Sequence, residues 1–92
     1  MIQIFRVVGE SMAPNLKNGQ YVVTEKLSQL FFDFQIGNMV IIKLASGKKI
    51  IKRITAKTGD NYFVEGDNKD YSIDSRHFGF IDKENILSNV IL

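Results

Sequence analysis

The hydrophobic positions of this chain fall into short runs, each closed by turn residues. Residues 2–8 (IQIFRVV) are β-branched and aromatic and read as a strand. Residues 21–24 (YVVT) read as a second strand, entered through KNGQ at 17–20, where Asn18-Gly19 supplies turn chemistry. Residues 39–44 (MVIIKL) form an almost continuous apolar run, as in a strand covered on both faces. Ser46-Gly47 then turns the chain, and residues 48–56 (KKIIKRITA) return as a long strand, so the two form a predicted hairpin. TGDN at 58–61 turns again, residues 62–65 (YFVE) make a short strand, and residues 86–92 (ILSNVIL) make a final one. Residues 26–34 (KLSQLFFDF) are ambiguous: Leu27, Leu30, Phe31 and Phe34 fit helical spacing, yet the run is short.

Short strands with turn signals between them predict an all-β fold, a small barrel or sandwich with room for one short helix. The 92 residues form a single domain, 1–92, with no repeat, linker or low-complexity stretch. An apolar share of 45% argues against disorder. The absence of cysteine excludes disulfides and cysteine-based metal sites or nucleophiles. A net charge of +2 does not by itself call for nucleic acid. No stretch reaches the ~20 apolar residues that span a bilayer, and MIQIFRVV lacks the long apolar core of a signal peptide. The chain is thus expected either to be soluble or to have lost an anchor.

Candidate chemistry begins at GESMAPNL, residues 9–16. Ser11 follows a strand and a glycine and precedes Pro14, the chain's one proline, which stiffens the backbone after it. Such a turn can expose a hydroxyl and a backbone N–H together, as an acyl-transfer nucleophile requires. Taken alone, it is more readily read as a serine decorating a turn. A nucleophilic serine needs a base. The lone His77 has no flanking sign of a role. On the strand at 48–56, alternation puts Ile50, Lys52 and Ile54 on one face and Ile51, Arg53 and Thr55 on the other. Lys52, between two isoleucines, would lose affinity for its proton if buried; a lysine snorkelling from a half-exposed strand is the plainer alternative. Arg53 stays protonated and cannot serve.

The third cluster is GDNKDYSIDSR, residues 66–76. Its carboxylates Asp67, Asp70 and Asp74 miss the spacing of a calcium loop, so no metal is expected, and no cofactor. On a strand, Asp74 and Arg76 would share a face and pair, with Ser72 beside them. A hydroxyl there can orient a buried lysine amine, although a solvated, turn-rich loop fits the same residues.

G-x-S-M-x-P, then Lys52-Arg53 followed by Gly59-Asp60, then Gly66-Asp67-Asn68 through Ser72, Asp74, Ser75 and Arg76, strongly resembles the type I signal peptidases, which are Ser–Lys serine proteases. GNMVIIK at 37–43 is a weaker match, and the resemblance covers almost the whole chain. It implies a barrel-like catalytic core, shared with the LexA-type self-cleaving repressors. It implies Ser11 as nucleophile, Lys52 as neutral general base, Ser72 orienting Lys52, and Asp74 with Arg76 as a structural pair. The oxyanion would rest on the Ser11 backbone N–H, and Met12 and Leu16 are assigned to substrate contact. Many members carry a hydroxyl residue where this chain has Gly9, which puts the second oxyanion donor in doubt. Asn15, Gln20, Asn38 and Thr58 also depart from the family's usual Thr, Asp, Asp and Pro. Only residues 61–65 lie between Asp60 and Gly66, where larger members insert a second domain.

By that resemblance the expected partner is a peptide or preprotein, cut after small residues as at Ala-x-Ala sites. Leu30, Phe31, Phe32 and Phe34 either contact a membrane surface or fill the core. An anchored protein would work on the extracytoplasmic side of a membrane, a soluble one in the cytoplasm. Other readings are a soluble maturation protease for one precursor, an inactive relative kept for protein interaction, and a peptide- or nucleic-acid-binding barrel. Lys43, Lys48, Lys49, Lys52, Arg53 and Lys57 crowd one hairpin, but no aromatics interleave with them, so nucleic acid is not expected.

Overall fold

The computed structural model describes residues 2–27 and 32–92. The apolar runs become β1 (Ile2–Arg6), β2 (Tyr21–Glu25), β3 (Met39–Lys43), β4 (Lys49–Thr58), β5 (Asn61–Glu65) and β7 (Ile86–Val90). Two elements had no hydropathy signal: β6 (Ile81–Asp82) and the one-turn helix α1 (Ser75–Phe78). Among the described residues the strands form one antiparallel sheet in the order β1-β2-β7-β3-β4-β5-β6. The all-β expectation holds, with one short α-helix.

Each face of the sheet buries its own core. One holds Phe34, Val40, Ile42, Ile54, Tyr62, Val64 and Ile86. The other holds Val7, Met12, Leu16, Val22, Ile41 and Ile51. The apolar run of β3 supplies both, since Val40 and Ile42 alternate with Ile41. Each such side chain contributes about 1.5–3 kcal/mol by leaving water. Val7, Met12 and Leu16 pin both ends of the loop that carries Ser11.

Val40 pairs with Lys52 and Ile42 with Ile50 across the β3–β4 hairpin. Opposed residues share a face, so Lys52 starts on the side of the first core, between Ile50 and Ile54 as alternation predicts. β3 pairs with residues 49–53 of β4, whereas β5 pairs with it only from Arg53 onward. Among the described residues, one edge of residues 49–52 therefore has no neighbouring strand. β1 ends the sheet order on the opposite side.

The segment at 26–34 resolves in part. Leu30 and Phe31 lie outside the described residues. Phe32 is 70% exposed, but Phe34 is buried and meets Tyr62 edge-to-face at 5.9 Å. Of the two readings left open for Phe34, the core holds and the membrane contact does not: its ring completes the first core.

Candidate active site

The chain leaves β1 through Val7, which is held on both sides: its N–H donates to the Gln20 carbonyl and its carbonyl accepts from the Gly19 N–H, each at 2.7 Å. It then turns at Gly9, where φ is +90° and a side chain would be strained. The Gly9 N–H donates to Asn18 Oδ1 at 2.9 Å, so this amide is already engaged. Among the described residues the Ser11 N–H makes no hydrogen bond within the chain. Beyond Ser11 the chain tightens through Ala13 N–H to the Glu10 carbonyl at 3.1 Å and Leu16 N–H to the Met12 carbonyl at 2.9 Å.

This turn brings Ser11 Oγ to 2.7 Å from Lys52 Nζ. Lys52 is 4% exposed. Burial pushes its ammonium below the usual lysine range, against the pull of Asp74; Lys48 adds a smaller downward push. A neutral amine at that distance can accept the serine proton.

Asp74 is fully buried and saturated with donors. It accepts from Ser72 Oγ at 2.7 Å, Gly66 N–H at 2.9 Å, Arg76 N–H at 3.1 Å, and Arg76 Nε and Nη2 at 2.9 and 3.0 Å. These bonds outweigh the burial penalty and hold its carboxyl far below the ordinary range. The Asp74–Arg76 pair forms, but not across a strand face as expected. Asp74 caps α1 and Arg76 lies in the helix. His77 acquires a role as well: its Nδ1 accepts the Asp74 N–H at 3.2 Å, completing a capping box. Ser72 is buried beside these groups, with its hydroxyl proton donated to Asp74 rather than to the amine.

The GDN stretch holds the nucleophile turn in place. Asn68 N–H donates to the Ser11 carbonyl at 2.8 Å, and its side chain to the Glu10 carbonyl at 3.0 Å. Asp67 takes a two-pronged pair from Arg53, both bonds at 2.8 Å, and a bond from Asn15 Nδ2 at 2.8 Å. Asn15 thus does local work where the family's usual residue is threonine. Gln20 and Asn38 likewise accept the backbone N–H of Lys17 and Gln35, both at 2.9 Å, and close their turns. Gly66 is obligatory for contact reasons: an added Cβ would overlap the Ser72 side chain and stand 2.6 Å from the Ser11 carbonyl. Its place in the GDN motif was visible in the sequence, but this close approach was not.

Met12 and Leu16 are corrected. Met12 is fully buried and Leu16 5% exposed, both in the second core, so neither side chain reaches a substrate surface. The groove at the dyad holds about 380 Å³ and is lined instead by Phe5, Val8 and Glu10 on one wall, residues 48–52 on another, and Tyr71, Ile73 and Phe78.

The sequence profile described as "Signal peptidase, peptidase S26" matches residues 1–61 and 58–92. The chain belongs to this family. It is 33% identical over 93 residues to "Mitochondrial inner membrane protease subunit 1" of Mus musculus, a match covering 77% of this chain and 56% of the relative. The human protein of the same name matches with the same identity and coverage. "Signal peptidase I V" of Bacillus subtilis is 25% identical over 134 residues, covering 90% of this chain and 80% of the relative. The chain thus spans about half the length of the mitochondrial relatives. Among the described residues no helix is long and apolar enough to cross a membrane.

Proposed function

We propose that this chain is a serine endopeptidase of signal peptidase type, with Ser11 as nucleophile and Lys52 as general base. The observation that carries this reading is the 2.7 Å contact between Ser11 Oγ and a buried Lys52 amine. Ser11 Oγ attacks the scissile carbonyl and its proton passes to Lys52. The C–N bond breaks as Lys52 returns that proton to the leaving amine, and water then hydrolyses the acyl ester. The Ser11 N–H stabilises the oxyanion. Gly9 offers no second donor, because its amide is bound to Asn18. Ser72 and Asp74 position the floor of the site; Arg76 fixes Asp74.

The substrate is an extended peptide or preprotein segment with a small residue before the cut. The unpaired edge of residues 49–52 offers it main-chain hydrogen bonds, as in strand addition. Exposed Val8, Tyr71 and Ile73 offer an apolar rim. The acyl half, held through both steps, is the half that this edge retains.

Ser11→Ala and Lys52→Ala, each folded by circular dichroism, should lower kcat/KM on an Ala-x-Ala peptide by about 10⁴-fold or more. Undiminished cleavage by either variant overturns the dyad.

A further inference from the structure

The groove contains a second cation beyond the proposed base. Lys48 is exposed and lines the groove with Ser11 and Lys52. Its carbonyl accepts the Leu44 N–H at 2.8 Å, which fixes its backbone at the hairpin end. Period-two alternation carries Lys48, Ile50 and Lys52 along one side of the chain. Lys49 lines the groove as well, so this end is electropositive and favours an incoming anion. Glu10, the groove's carboxylate, adjoins the nucleophile and so lies toward the other end.

A peptide added along residues 49–52 has the same period. If the residue that acylates Ser11 stands at Lys52, the second residue beyond it meets Ile50 and the fourth meets Lys48, about 13 Å away at ~3.3 Å per residue. We propose that Lys48 is a specificity residue, selecting substrates with an acidic side chain four residues from the acylating one, on the acyl side. This rests on the cleavage reading above.

Three peptides identical except for Asp, Asn or Lys at that position decide it. Wild type should favour Asp over Asn, and Asn over Lys, each by about threefold in kcat/KM, the size expected of an exposed ion pair, and should lose the preference at high salt. Lys48→Gln should abolish the discrimination and Lys48→Glu should invert it. Taking ratios between peptides within each variant cancels any change in the basicity of Lys52. Equal cleavage of all three peptides by wild type, or an unchanged order in Lys48→Glu, overturns the selection and leaves the protease reading intact. Failure of wild type to cleave any of the three overturns the protease reading, and the selection with it.

Discussion

Lys52 and Asp74 are both buried ionisable groups, and the protein treats them in opposite ways. Lys52 stands among isoleucines, its amine bonded to the Ser11 hydroxyl, and burial makes its proton easy to lose. Asp74 receives five hydrogen bonds and is held as an anion far into acid. The first arrangement leaves a charge poorly satisfied so that it can move. The second satisfies a charge so fully that it becomes part of the scaffold. Burial alone therefore does not mark a reactive group; the number of donors or acceptors around it does.

The sharpest way to break the contrast is Lys52→Met. It should lower kcat/KM by about 10⁴-fold or more, yet leave stability equal or higher by about 1 kcal/mol, since an apolar chain replaces a poorly satisfied cation. Kinetics and urea unfolding on the same preparation check both halves. Asp74→Asn should do the reverse to the fold, costing about 3 kcal/mol because Arg76 loses its charged acceptor and the donors around it are left mismatched. For a domain of this size that lowers Tm by more than about 10 °C, readable by calorimetry; an unchanged Tm would make Asp74 a bystander. Gly66→Ala forces a methyl against Ser72 and the Ser11 carbonyl. It should cost about 2 kcal/mol and reduce kcat as the nucleophile turn shifts, which paired unfolding and single-turnover measurements would show.

The smallest effect is a slope against pH. The folded pKa of Lys52 lies below its ordinary value of 10.5. Only the neutral amine is a base, so kcat/KM should rise about tenfold per pH unit up to that folded pKa and then level. Between the folded value and 10.5 the unfolded chain binds more protons, so stability also rises with pH across that window. Asp74 acts at the other end. Its contribution is present above 3.8 and is lost as pH falls below that toward its folded pKa. A profile with no rising limb anywhere below 10.5 would remove Lys52 from the base role.

The sequence made Lys52 legible because a long strand alternates strictly: Ile50, Lys52 and Ile54 repeat every second residue, and the hairpin partner is equally regular. Ser11 was legible only through its company, since a serine in a turn is common. The Asp74 network was misplaced because two-residue spacing suits a strand, while α1 is a single turn whose sequence SRHF has no room for helical periodicity. Met12 and Leu16 were misassigned, and Phe34 left open, for a different reason. Apolar character says that a side chain leaves water, not whether it enters the core, a groove or a membrane. β6, at two residues, is below any periodic signal.

The unpaired edge of residues 49–52 has one more consequence. A strand edge open to a peptide is open to any strand, including that of another molecule of the same protein. Lys48 and Lys49 line the groove beside that edge, and a second copy laid parallel against it would bring its own two lysines alongside. Like charges so opposed disfavour that pairing, so the same lysines that would read a guest strand also work against the protein stacking into its own cleft.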